Sequence, residues 1–210
     1  LEKINQNIVF VLADMVENRD SFTGGHIERT AILVKLLIEG MKERGIYGDE
    51  IAEWDSKSMA NSSLLHDIGK ISISDLILNK NIKLTSEEFE RMKSHCLEGQ
   101  RIIDKVIART GENSFLRNAK LFALYHHERF SGGGYPFNLS GEDIPLQGRI
   151  MAIVDVYDAL ISKRSYKEPF TVESALNIIT SETGEHFDPK IVAVFIELID
   201  EFNKGVVDIN

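Results

Sequence analysis

The sequence has little that would mark a secreted, membrane-spanning or DNA-binding protein. It has one cysteine, Cys96, so an intrachain disulfide framework is excluded. It also lacks an apolar run close to the ~18 residues that cross a membrane. Its 24 basic side chains are outnumbered by 33 acidic ones, so a broad basic face for duplex DNA is not expected. We therefore expect a cytoplasmic protein in which residues 1–210 form one globular domain.

Alternation of apolar and polar residues is missing too, and apolar residues instead recur at spacings of three and four, which is typical of helices. The first two stripes are Ile4, Ile8, Val11, Leu12 and Met15, and then Ile27, Ala31, Val34, Ile38 and Met41. Later helices are predicted over 51–67, 85–109, 114–127, 148–161, 171–180 and 189–202. The helix at 85–109 opens with a capping signature, Thr85-Ser86-Glu87-Glu88. The sequence thus predicts an all-α bundle of about eight helices with two long functional loops, 68–84 and 128–145.

Histidines beside acidic residues or beside one another are the main chemical signal. His66-Asp67 and His126-His127-Glu128 combine imidazole and carboxylate, the ligands of zinc, iron and manganese. Neighbouring residues on a helix point about 100° apart, so each pair suits two metals better than one, with a carboxylate able to bridge. The alternative for any single histidine is a hydrogen-bonded structural role, which we favour for His186.

Asp155 is flanked on both sides by apolar residues in a segment predicted to be a buried helix. A buried carboxylate is costly unless it is paired or bound to a metal. We expect Asp155 to be a metal ligand, and the alternative is a salt bridge to Arg149 or Arg164. Asp158, one turn later, is a candidate structural residue.

These residues stand in motifs that resemble a known family. The segment His66-Asp67-Ile68-Gly69-Lys70 is similar to the core of the HD superfamily of metal-dependent phosphohydrolases. The segment 126–136, which ends in Gly134-Tyr135-Pro136, resembles the signature of its HD-GYP subfamily. Further matches lie in the family's order, at 19–29, 84–95 and 148–167. The resemblance covers residues 14 to 195, nearly the whole chain.

The resemblance implies an HD-domain helical bundle that hydrolyses the bacterial second messenger cyclic di-GMP to pGpG, and in many members onward to GMP. It implies a site with two or three metals, usually iron or manganese, and six of the matched positions would bind two of them. One metal would bind His66, Asp67 and Asp155. The other would bind His95, His126 and His127, with Asp67 as the bridge.

Two metals also suit the chemistry of a phosphodiester, which resists water because the phosphate is anionic and water is a weak nucleophile. They would convert a bridging water into hydroxide and hold the phosphate oxygens. Asp67 is then catalytic through the metals, and Lys70 is expected to contact a non-bridging phosphate oxygen. The alternative for Lys70 is a solvated lysine.

Further substrate contacts follow from the resemblance. Arg164 and Lys167 would contact phosphate or guanine, the alternative being a surface basic pair. Tyr135 would either stack on guanine or pack against its own loop, and that loop could also dock other signalling domains.

One position departs from the family pattern. Members with a third metal often have glutamate four residues before the first-motif histidine, where this chain has Phe22. We therefore expect two metals rather than three. His26, the retained histidine, is expected to contact substrate phosphate or metal-bound water.

Two other functions keep the same motifs. The chain could hydrolyse another cyclic dinucleotide, because the motifs define metals better than bases, or it could be a catalytically weak cyclic-di-GMP receptor. The intact metal and lysine positions disfavour the receptor. We also expect an upstream sensor or receiver domain, with residues 1–17 as a linker or signalling helix. Ordinary core packing is the interpretation we favour for the apolar stripe of that helix.

Overall fold

The structure is a computed structural model and describes residues 2–19, 25–162 and 168–203. Within these ranges it contains eleven α-helices, two 3-10 turns and no β-strand, so the all-α prediction is confirmed. The helices are α1 (Glu2–Glu17), α2 (His26–Glu43), α3 (Gly48–Ile51), α4 (Ser56–Ser63), α5 (Asp75–Leu78), α6 (Ser86–Lys93), α7 (His95–Thr110), α8 (Ser114–Tyr125), α9 (Leu146–Ile161), α10 (Val172–Ser181) and α11 (Pro189–Asn203). None of these helices combines the length and the apolar character that a membrane span requires.

The helices outnumber the eight expected because two predicted helices are divided and because α5 lies within the predicted loop 68–84. The prediction of one helix over 51–67 is wrong, since Asp55 accepts a hydrogen bond from the Ser58 amide at 2.6 Å and starts a new helix there. The predicted helix at 85–109 ends and restarts at Ser94, which caps α6 and precedes α7. Both divisions lie at polar residues, and the second places His95 at the start of α7.

The main core surrounds α2 and α9, which pack against each other and against α11. Its members include fully buried aliphatic residues of these helices, such as Leu37, Ile38, Ile150 and Ile153. Burial of each such side chain stabilises the fold by about 1.5–3 kcal/mol. α2 begins at His26 and α9 carries Asp155, so this core fixes the elements on which two candidate site residues lie.

The apolar stripe of α1 is not core. Ile8, Val11, Leu12 and Met15 are 51–62% exposed, whereas Ala13 and Val16 are buried. The interpretation of the stripe as ordinary core packing is therefore wrong for these four residues. The side chain of Ile4 lies outside the described part of the chain.

Candidate metal centre

The His66-Asp67 pair lies in a turn between α4 and a 3-10 turn, Ile68–Ser72, which packs against α7. Gly69 allows this approach, because a Cβ there would overlap the carbonyl oxygen of His95 and come within 2.5 Å of the Gly99 amide nitrogen. The glycine of the motif therefore brings Asp67 beside His95, the first residue of α7.

Three histidines present the same ring nitrogen to the site. The Nδ1 atoms of His66, His95 and His126 lie 2.8–3.0 Å from main-chain carbonyl oxygens three or four residues earlier. A carbonyl can only accept, so Nδ1 carries the hydrogen and Nε2 presents its lone pair. This is the tautomer that a metal-ligating histidine adopts.

The first donor group consists of Asp67, His95, His126 and His127, whose candidate ligand atoms all lie within 4.8 Å of one another. Asp67 Oδ1 is 3.3 Å from His95 Nε2 and 3.6 Å from His126 Nε2. The two Nε2 atoms are themselves 3.3 Å apart. Two lone pairs at this distance favour a shared cation, as the predicted second metal requires.

The second donor group in the described residues consists of His26, His66 and Asp155. His26 Nε2 lies 3.7 Å from Asp155 Oδ1. Asp67 faces this group as well, because its Oδ2 is 3.3 Å from His66 Nε2. The carboxylate of Asp67 thus lies between the groups, where a bridging ligand would be. The grouping differs from the prediction in one respect: His26, expected at the substrate, is among the donors.

Two buried atoms show that the residues fit a metal. His66 Nε2 and Asp67 Oδ1 are inaccessible to solvent and make no hydrogen bond within the described chain. Buried polar atoms without partners are rare and costly. A divalent ion would satisfy both, so this cluster of histidine and aspartate can hold a divalent metal.

The pKa values of the cluster residues reflect their crowding and burial. Burial lowers the pKa of His95 to about 4. Burial also lowers the pKa of His66, but the negative charge of Asp67 outweighs it and raises that pKa to about 9. Burial raises the pKa of Asp67, yet Lys70 and His66 together hold it well below its usual range. A metal ion would take the place of the proton on His66.

Asp158 orients His26. Its carboxylate is fully buried and lies 2.7 Å from His26 Nδ1, and it also accepts from Arg29 Nε at 2.6 Å. Such a carboxylate behind a histidine fixes the ring and directs Nε2 toward the metal side. Arg149 pairs with Asp188 at 2.8 Å, so the alternative of an Arg149–Asp155 salt bridge is wrong.

The glycine-rich loop folds back on the first donor group. Glu128 is buried and accepts from the amides of Phe137 and Leu139 at 2.7 and 3.0 Å. A Cβ at Gly134 would lie 2.5 Å from Glu128 Cα, so only glycine permits the close return of the chain. The next residue, Tyr135, packs against the His127 ring, with 4.7 Å between the ring centroids. Its stacking on guanine stays a prediction.

The remaining candidates fall in several places. Lys70 is next to the centre, with Nζ 2.8 Å from Asp67 Oδ2. Arg164 and Lys167, like Phe22, lie outside the described residues. His186 belongs to neither donor group described above. Sequence reasoning missed Glu17, a buried carboxylate at the end of α1, because a lone glutamate at a helix end matches no chemical pattern.

Comparison with known proteins identifies the family. The family model described as HD domain matches residues 11–191. A cyclic di-GMP phosphodiesterase of Vibrio cholerae is 42% identical over 201 residues, 95% of this chain and 41% of the relative. A cyclic di-GMP phosphodiesterase of Thermotoga maritima is 37% identical over 194 residues, 92% of this chain and 49% of that one. A 3′3′-cGAMP-specific phosphodiesterase of V. cholerae is 39% identical over 202 residues, 96% and 36% of the two chains. This chain therefore spans less than half the length of these relatives.

Two solved structures support the fold. A cyclic GMP-AMP specific phosphodiesterase of V. cholerae superposes with a TM-score of 0.59 at 19% identity, over 95% of this chain and 51% of that one. An HD-GYP-type protein from Bdellovibrio bacteriovorus gives 0.54 at 16% identity, over 83% and 52%. The chain belongs to the HD domain family, as its resemblance to HD-GYP proteins predicted.

Proposed function

We propose that this chain is the catalytic domain of a metal-dependent phosphodiesterase that hydrolyses cyclic di-GMP to pGpG. The observation that carries the proposal is the pair of donor groups that face the two oxygens of Asp67. The names of several relatives support the choice of substrate. Further cleavage to GMP would use the same centre.

Two divalent ions, Fe or Mn, would be held by six predicted ligands: His66, Asp67, His95, His126, His127 and Asp155. His26 would be a further donor to the ion at His66 and Asp155. The mixture of imidazole and carboxylate suits either ion. When bound, the ions would activate water as a nucleophile and neutralise the charge of the scissile phosphate. The chain itself provides the orientation, because main-chain carbonyls fix three of the histidine rings.

The basic side chains would recognise the phosphates. Lys70 is held beside Asp67, where its ammonium group can donate to a non-bridging oxygen of the scissile phosphate. Arg164 and Lys167 would contact the second phosphate or a guanine. Tyr135 is partly exposed next to His127, and its ring can line the path of a base.

Another cyclic dinucleotide is the second candidate substrate. It is favoured by the 39% identity to a relative named as specific for 3′3′-cGAMP. Both substrates have two phosphodiesters in a ring, so the donor groups do not discriminate between them. A receptor without catalysis is disfavoured because all six ligand positions and Lys70 are retained.

The wider protein would include an upstream sensor or receiver domain that regulates this one. The greater length of the relatives supports that proposal, as does the exposed apolar stripe of α1. The loop at Gly134-Tyr135-Pro136 could dock another signalling domain.

The experiment is an anaerobic hydrolysis assay with Fe(II) or Mn(II), in which cyclic di-GMP and 3′3′-cGAMP are offered separately. We expect faster cleavage of cyclic di-GMP and a product that elutes as pGpG. Asp67→Ala should reduce the rate to below roughly a hundredth, because it removes the shared ligand. Asp104→Ala is the matched control, since Asp104 pairs with Lys120 away from both donor groups. Faster cleavage of 3′3′-cGAMP would transfer the assignment to the second candidate, and cleavage of neither would contradict both.

A further inference from the structure

Glu17 is a buried carboxylate without a partner. Its side chain, at the last residue of α1, is only 5% exposed. Neither Oε1 nor Oε2 makes a hydrogen bond within the described chain. A carboxylate in this state is costly unless a proton or a cation neutralises it. The mechanism proposed above does not use it.

Glu17 lies beside the second donor group. The charged groups that act on its carboxylate are Lys70, Asp67, His26 and His66, and burial raises its pKa. These are residues of the metal centre and its rim.

The position of Glu17 is fixed by its neighbours on α1. Val16 is buried in contact with the body of the domain. Two residues further, the Arg19 guanidinium donates to the carbonyl oxygens of Lys70, Ile71 and Ile73 at 3.0–3.3 Å. It also pairs with Asp75 at 2.8 Å. The end of α1 is therefore tied to the turn that follows the His66-Asp67 pair.

The charge of the second donor group favours one more carboxylate. With Nδ1 of His26 and His66 hydrogen-bonded to oxygen atoms, both rings can bind as neutral ligands. Two divalent ions would bring four positive charges, of which the carboxylates of Asp155 and the bridging Asp67 would neutralise two. A buried, uncompensated charge is strongly unfavourable. One additional carboxylate would reduce this excess of positive charge.

We propose that Glu17 is a further carboxylate ligand of the metal ion held by His26, His66 and Asp155, in addition to the bridging Asp67. The inference rests on the proposed function, because it requires the metal centre. In the structure the Glu17 oxygens are outside the set of donor atoms that lie within 4.8 Å of one another. Binding therefore requires rotation about the side-chain bonds of Glu17.

The experiment measures metal binding rather than activity. Wild type, Glu17→Gln and Asp14→Asn are stripped of metal, reloaded with Mn(II) and assayed for bound ions by elemental analysis and for affinity by titration. Asp14 is the matched control, because it lies one turn earlier on α1, where its carboxylate accepts a hydrogen bond from Asn18 at 2.9 Å. Thermal unfolding of the metal-free proteins verifies that each variant is folded.

We expect about two ions per chain in wild type and in Asp14→Asn, whereas Glu17→Gln should lose one ion or bind it roughly tenfold or more weakly. The metal-free Glu17→Gln protein should be as stable as wild type or more so, since a neutral amide replaces an unpaired carboxylate. If Glu17→Gln binds two ions with unchanged affinity, the role of Glu17 is overturned and the proposed function is not affected. Equal losses in both variants would also overturn that role. A wild type that binds no metal would overturn the proposed function as well.

Discussion

At the scale of single residues, adjacent pairs carry the metal centre. His66-Asp67 and His126-His127 could be recognised from sequence, because adjacent ligand types are rare and suggest two metals. The structure places all six predicted ligands in or between the two donor groups. Their roles as ligands stay a prediction until metal is measured.

Residues that support the ligands could not be predicted in the same way. Asp158 acts on His26 across 132 positions of the chain, and such a contact depends on how α2 packs against α9. Glu17 gives no signal because burial, not its neighbours in sequence, makes it unusual. The placement of His26 among the donors likewise depends on tertiary packing.

His186 gives a prediction on pH dependence at this scale. Its ring stacks on Phe187, with 4.3 Å between centroids, and burial together with Arg129 lowers its pKa from 6.5 to about 4. Above about pH 6.5 the imidazole is neutral in both the folded and the unfolded chain. Between about pH 6.5 and 4 the unfolded chain binds a proton that the folded chain does not, so the free energy of unfolding falls.

His186→Phe keeps the stacked ring and removes the titration. We expect the free energy of unfolding of this variant, relative to wild type, to increase as the pH is lowered from about 7 to about 5. Urea denaturation at three pH values measures the difference, in which the contributions of the other histidines cancel. A difference that is independent of pH would contradict the assignment.

At the scale of elements, helix starts were predicted better than helix breaks. The capping box at Thr85 is confirmed, with the Glu88 amide donating to Thr85 Oγ1 at 3.2 Å and the Thr85 amide donating to Glu88 Oε2 at 2.7 Å. The break at Ser94 could not be predicted, because no glycine or proline stands there in the sequence. Packing of α7 on the turn at Gly69 explains it, because a new helix direction places His95 beside Asp67.

The exposed stripe of α1 gives the second prediction. Val11 is 52% exposed and Val16 is 5% exposed on the same helix. Valine and asparagine have similar helix propensities. The difference between the effects of Val→Asn at the two positions therefore measures the contribution of burial to the free energy of unfolding. We expect Val11→Asn to change the free energy of unfolding by less than about 0.5 kcal/mol and Val16→Asn to lower it by about 2 kcal/mol or more.

The free energies of unfolding of wild type and both variants are measured by urea denaturation at two protein concentrations. Equal decreases in the free energy of unfolding for Val11→Asn and Val16→Asn would contradict the exposure of the stripe. A loss at Val11 that grows with protein concentration would show that a second copy covers the stripe.

At the scale of the whole molecule, two hydrophobic clusters support the donor groups. The first surrounds α2 and α9, which bring His26 and Asp155 to the centre. The second packs α7 against α8, and these helices bring His95, His126 and His127. The all-α class follows from apolar spacing. The order of packing could be expected only through the family resemblance, because spacing within a helix does not specify its neighbour. Arg149 illustrates this, since its partner is Asp188, immediately before α11, and not Asp155 on its own helix.

The most direct test of the account is a metal titration of activity. Metal-free wild-type protein is supplied anaerobically with increasing Mn(II), and the initial rate of pGpG formation from cyclic di-GMP is recorded at each step. The account predicts no hydrolysis without metal and a rate that levels off at about two ions per chain. Hydrolysis that persists after removal of metal, or no turnover by folded protein with both ions bound, would contradict it.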